Sequence, residues 1–154
     1  MTPVPGSAAD GADVRALGMA DLRALYWELA DAAKSDHDRA HVLLAQHPEV
    51  LEHHEYGGET PLHYLAVENH VSAVRFLLSM GASANPTNRF GQSPLQETVF
   101  IHKPRSSYLD IIRLLLEAGA DPHHKSETID SAWEQVQGSE ELELVRLVRR
   151  FANP

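Results

Sequence analysis

The sequence predicts an all-α fold, a solenoid of about four stacked antiparallel helix pairs. Two observations carry the prediction. The first is a repeat: Thr60-Pro61-Leu62-His63 returns 33 residues later as Ser93-Pro94-Leu95-Gln96. The second is an apolar run downstream of each copy. Val71, Val74, Leu77 and Leu78 precede Gly81, and Leu109, Ile112, Leu115 and Leu116 precede Gly119, at helical spacing in both cases. A hydroxyl residue before proline starts a helix, because the hydroxyl accepts from an orphan N–H and proline at the first helical position lacks an N–H that would be unpaired anyway. Glycine just past the apolar run ends one. Each unit is therefore two helices.

Residues 1–18 carry two prolines and three glycines without an apolar core segment, and are expected to be a flexible leader rather than a signal peptide. Asp21 to Ala33 places Leu22, Leu25, Tyr26 and Leu29 on one helical face, and Ser35 to Gln46 supplies a second helix with Ala40, Leu43 and Leu44. These make an N-terminal capping pair, 19–57. The first full repeat runs 58–90. The second, 91–128, has 38 residues between Gly81 and Gly119 against 33 between the helix starts, so five residues, His102 to Ser106, are inserted between its helices. A decayed third copy at Ser131-Ala132-Trp133-Glu134 opens a C-terminal capping pair, 129–154. Its last helix carries an expected stripe of Leu142, Val145, Leu147 and Val148. Arg149 falls where Leu78 and Leu116 stand earlier, which predicts that nothing stacks beyond it.

Composition narrows the function. Among 154 residues, 13 Lys and Arg stand against 22 Asp and Glu, a net charge of −9. That balance argues against a phosphate-backbone ligand, whose affinity comes from basic residues releasing counterions, and favours a basic partner. There is no cysteine, so no disulfide or thiolate site. No apolar run approaches the roughly 20 residues of a membrane span. A cytoplasmic protein, monomeric when free and without cofactor, is the expectation.

The motif Gly58, Thr60, Pro61, Leu62, His63, Ala66, then Asn69-His70, Val74, Leu77, Leu78, Gly81, Ala82 and Asn85 resembles the ankyrin repeat. The second copy keeps Gly91, Ser93, Pro94, Leu95, Leu115, Leu116, Gly119, Ala120 and Asp121. It departs at Gln96 for the motif histidine and at His123 for the terminal asparagine, which puts its hydrogen bonding to the next repeat at issue.

The resemblance implies that loops 53–59, 86–92 and 124–130 project as fingers and, with the exposed side of each first helix, line a concave binding surface. Positions that the family leaves free there are Tyr56, Gly57, Glu59, Val67 and Glu68, then Arg89, Phe90, Gln92, Phe100 and Ile101. Tyr56, Glu59, Glu68, Arg89, Phe90, Gln92 and Phe100 are the expected partner contacts, since aromatics flanked by charge make binding hot spots. Two readings of the aromatics stay open. In the other, Phe90 tucks against the next repeat and Tyr56 covers the preceding pair. The insertion, with Lys103 and Arg105, is either a solvated loop or a second contact for an acidic partner or phosphate.

The resemblance gives His63 and His70 structural roles, bonding turn backbone. Of the ten histidines, His37 and His41 share a helical face beside Asp38, but two ligands do not make a zinc site. His53-His54 and His123-His124 lie too far apart to share an ion, so no metal is expected. Protonating all ten would move −9 to +1, which predicts binding to a basic partner that weakens as pH falls from 7.5 to 5.5. Phosphate-binding glycine loops and G-x-S-x-G elbows are absent. Ser93, Ser107 and Ser139 each read as a helix cap, and enzyme activity is not expected. The sequence thus predicts a protein-binding module. Its alternatives are a stand-alone inhibitor or immunity-type protein neutralising a basic toxin or enzyme, and a histidine-based metal or pH sensor.

Overall fold

A computed structural model describes residues 17–101 and 106–153. The leader prediction and the charged part of the insertion, 102–105, fall outside the described residues.

Eight α-helices are described: α1 (Met19–Ser35), α2 (His37–Gln46), α3 (Pro61–Val67), α4 (Val71–Ser79), α5 (Pro94–Phe100), α6 (Ser106–Glu117), α7 (Ala132–Val136) and α8 (Leu142–Ala152). Among the described residues there is no strand. The pairs α1/α2, α3/α4, α5/α6 and α7/α8 each pack together, while α3, α5 and α7 form one row and α4, α6 and α8 a second. Helix α1 seats across α3 and α4. One apolar cluster runs through all four pairs, from Leu29 and Leu44 through Leu65, Leu77 and Leu95 to Ile112, Leu115, Val136 and Val148. Fully burying such a leucine contributes about 2 kcal/mol, so the stack coheres only because each pair covers its neighbour's apolar stripe.

The helix starts behave as their chemistry demands. Thr60, Ser93 and Ser131 each accept from the backbone N–H three residues on, at His63, Gln96 and Glu134. The returning bonds differ in what they leave over. Thr60 N–H donates to His63 Nδ1 at 3.2 Å, which leaves Nε2 as the protonated nitrogen, and Nε2 donates to the Gln92 carbonyl at 3.0 Å. In the next repeat Ser93 N–H donates to Gln96 Oε1 at 3.2 Å, and Gln96 Nε2 donates to the Ile129 carbonyl at 2.8 Å. The departure from histidine therefore costs the second repeat no hydrogen bond to the third. In the third, Ser131 N–H donates to Glu134 Oε2 at 3.2 Å, but a carboxylate has no N–H to pass onward. His123, the other departure, donates through Nε2 to the Ala152 carbonyl at 2.9 Å and so ties the finger region to the end of α8.

Several expectations need correction. Helix α6 begins at Ser106, so the insertion partly lengthens the helix: α6 has 12 residues where α4 has 9. Ser107 is consequently the second residue of α6 rather than its cap, and Ser139 accepts from Glu141 N–H at 3.1 Å without being the cap of α8, which is Glu141. Ser35 ends α1, and Asp36 caps α2 by accepting from Arg39 N–H. In α8 the buried face is Leu144, Val148 and Ala152, one turn apart, whereas Leu142 at the first helical position is 65% exposed. His70 precedes α4 without a side-chain capping bond. Arg149, by contrast, needs no correction: it is exposed at the position where Leu116 is buried.

Candidate protein-binding surface

Three turns lie where fingers were expected. In the first, Glu55 N–H donates to the Glu59 carbonyl at 2.9 Å, and the Glu55 carboxylate receives Arg23 Nε of α1 at 2.7 Å. In the second, Asn88 N–H donates to the Gln92 carbonyl at 2.9 Å. The buried Asn88 side chain holds that turn from both ends: Oδ1 accepts from Phe90 and Gln92 N–H, while Nδ2 donates to Gln92 Oε1 and to Glu97 Oε1. In the third, Ser126 and Ile129 close the turn through backbone and hydroxyl.

The turns are tied to one another. Arg89 N–H donates to the Gly57 carbonyl at 2.8 Å, and His124 Nε2 donates to the Gly91 carbonyl at 2.8 Å. The first of these contacts explains Gly58. Its φ is +79°, and a Cβ there would lie 2.6 Å from the Arg89 nitrogen, closer than a side chain can approach backbone.

Of the two readings of the aromatics, the structure has them exposed: Tyr56 is 81%, Phe90 51% and Phe100 65% accessible. The Arg89 guanidinium sits over the Phe90 ring, 5.0 Å from its centroid. Glu68 is exposed at the end of α3, and Glu59 is half-buried beside it. Burial, and then the Glu68 charge, hold the Glu59 carboxyl above the ordinary range. Gln92 is committed within the surface, its Nε2 donating to Thr128 Oγ1 of the third turn at 2.8 Å.

Two residues of this region lie outside the expected set. Glu97, on α5 one repeat after Tyr64, is pushed up to about 7 by burial and by Glu59, against the opposing bond from Asn88. Its Oε2 is shielded from solvent without a hydrogen-bond partner. Trp27 of α1 is 44% exposed and meets the Tyr64 ring edge-on at 5.1 Å, while Lys34 Nζ lies over the same tyrosine, 5.2 Å from its ring centroid. The sequence signal for Trp27 is an aromatic lying off the stripe of Leu22, Leu25 and Leu29. Nothing in the sequence marks Glu97.

Several of the described histidines make structural contacts. His37 stacks on Phe76 at 4.5 Å and His41 meets the same ring edge-on at 5.1 Å, so both imidazoles pack on α4 while staying exposed. His54 bonds the Gly58 carbonyl, and His53 the Glu55 carboxylate. Among the described residues no group of three ligating side chains is placed to hold a metal. His63 is held down to about 4 by burial, so it stays neutral at pH 5.5. His63 therefore adds no charge as pH falls through that range, whereas Glu97, pushed up to about 7, takes up a proton within it. No helix among the described residues is long and apolar enough to cross a membrane.

A family model described as ankyrin repeats in three copies matches residues 29–126, from within α1 to the third turn. An ankyrin repeat protein of Rickettsia bellii is 38% identical over 80 residues, covering 51% of this chain and 31% of that protein. Ankyrin repeat protein OPG189 of monkeypox virus is 36% identical over 67 residues, 44% of this chain and 11% of its own length. The chain thus spans a third or less of these relatives. A crystal structure of an ankyrin repeat domain from Acinetobacter baumannii superposes with a TM-score of 0.68 at 24% identity, over 80% of this chain and 63% of that one. That likeness concerns the fold, an architecture typically non-catalytic and generally used to bind other proteins. With the paired helices, the capped Thr-Pro and Ser-Pro starts and the linked turns in place, the chain belongs to the ankyrin-repeat family.

Proposed function

We propose that the chain is a non-enzymatic interaction module that binds a basic partner protein across the finger turns and the adjoining first-helix face. The observation that carries this reading is the pair Tyr56 and Phe90, large rings left exposed on neighbouring turns that a backbone hydrogen bond holds in register. Holding them so lowers the ordering cost that a partner would otherwise meet. Glu59, Glu68 and Glu97 lie near one another on the same side, and a cationic side chain arriving there relieves their mutual repulsion. Phe100 and Trp27 extend the apolar contact along the helices. Gln92 contributes by fixing the turns, and Arg89 by stacking on Phe90.

The test is a three-way capture from native lysate with immobilised wild type, Tyr56→Ala/Phe90→Ala, and the exposed α4 variant Arg75→Ala. A protein retained by wild type and Arg75→Ala but lost from the double variant, and bound more weakly as salt rises, supports the reading. Identical capture by all three moves the interface elsewhere.

A further inference from the structure

We propose that the groove between α6 and α8 binds an acidic, leucine-bearing segment of a second partner protein. The groove is lined by Leu109 and Arg113 from α6 and by Glu143, Arg146, Leu147 and Arg150 from α8. The three arginines are exposed, while the two leucines are half-buried and form its floor. Among the described residues no carboxylate pairs with Arg113, Arg146 or Arg150. Arg150 instead lies over the Phe151 ring, 5.8 Å from its centroid. A chain of net charge −9 therefore gathers three guanidinium groups, against the single carboxylate of Glu143, around one apolar strip.

Helix electrostatics do not account for the gathering. A cation in the last turn of a helix is stabilised by the carbonyl end of the dipole, which covers Arg150 and its neighbour Arg149. Arg113 stands in the middle of α6, and Arg146 more than a turn from the end of α8.

The lining says which ligand fits. Guanidinium forks pair with carboxylates through two parallel N–H···O bonds. Arg146 and Arg150 are four residues apart on one face, so their side chains leave the helix about 5–6 Å from each other, the spacing of two carboxylates one turn apart on a docked helix. Arg113 closes the opposite wall, and Leu109 with Leu147 offers a floor for an apolar side chain between the acids. Free phosphate would leave that floor uncovered. A nucleic acid would likewise leave that floor uncovered, because its phosphate backbone brings no apolar side chain to it. This face and the acidic finger side thus select partners of opposite charge.

The probe is a fluorescein-labelled 16-residue helical peptide of Glu, Leu and Ala with its glutamates and leucines on one face, titrated by anisotropy against the full chain. Saturable binding is expected, at least tenfold weaker for Arg113→Gln and for Arg146→Gln/Arg150→Gln, lost when the peptide's glutamates become glutamines, and unchanged in Tyr56→Ala/Phe90→Ala. Circular dichroism confirms that each variant is folded, and the two walls are varied separately so that one misfolded variant leaves the other as a test. The proposal is overturned by non-saturable binding, by affinity indifferent to both walls, by loss in the finger variant, by displacement with millimolar inorganic phosphate at constant ionic strength, or by tighter binding of a labelled DNA duplex.

Discussion

Gln96 reproduces both hydrogen bonds of His63 one repeat later: its Oε1 takes the cap residue's N–H as His63 Nδ1 does, and its Nε2 donates to a carbonyl of the following turn as His63 Nε2 does. The two side chains differ in one respect that matters, since only the imidazole titrates.

His63→Gln is accordingly expected to keep the fold at pH 7 and to make it more tolerant of acid. The folded pKa is near 4 and the unfolded one near 6.5. The unfolded chain therefore binds the proton first, and stability falls as pH drops through that window, by about 2 kcal/mol at pH 4.5 from this group alone. Urea unfolding of both proteins at pH 7 and pH 4.5 reads the difference. An equal acid loss in wild type and variant would mean that His63 takes up its proton in the folded state.

Glu97 has the opposite sign. Its folded pKa of about 7 lies above the unfolded value of 4.5, so the unfolded state gives up its proton first and stability declines as pH rises from 4.5 to 7. Glu97→Gln keeps an oxygen for Asn88 Nδ2 and removes the charge beside Glu59. Because the group is partly solvated, the gain at pH 7.5 is discounted to about 1 kcal/mol, vanishing at pH 4.5. Thermal melts at the two pH values distinguish this from a uniform gain.

Gly58→Ala meets the Arg89 backbone at 2.6 Å in a conformation with φ of +79°. The first two turns must separate, and a loss of about 2–3 kcal/mol is expected. Chemical denaturation measures it, and a variant within about 0.5 kcal/mol of wild type, the usual range for a neutral surface change, would contradict the close approach.

Tyr56→Ala/Phe90→Ala removes exposed rings only. Its melting temperature should stay with wild type while affinity for the identified partner falls by at least ~1 kcal/mol, about fivefold. Isothermal titration with that partner decides. Trp27→Ala, which removes a single ring that is fractionally less exposed and braced by Tyr64, is expected to weaken the same complex to a lesser degree.

What was legible in the sequence was whatever depends on residues close together in the chain. Thr60-Pro61 and Ser93-Pro94 declare helix starts because the cap bond spans three residues, and Gly81 and Gly119 declare ends for a similar reason. In α8 the apolar stripe holds for Val145, Leu147 and Val148 and fails at its terminal residue, where Leu142 is exposed and Leu144 is buried instead. Glu97 is not legible because the groups that act on it, Glu59 by its charge and Asn88 by a hydrogen bond, come from other turns. Gln96 leaves the bond to the next repeat open on residue identity alone, whereas the neighbouring repeat responds only to where an N–H is presented. Tyr56 and Phe90 could be located but not declared exposed, since that depends on which side chains the next repeat lacks.

Glu134 departs from His63 and Gln96 in chemistry, not in the cap it forms. Its carboxylate satisfies Ser131 yet extends no donor forward, so a further unit grafted after α8 would find no partner for its own turn carbonyl. Lengthening this scaffold by design therefore begins with Glu134→Gln and Arg149→Leu, the two places where the rhythm of the repeat breaks off.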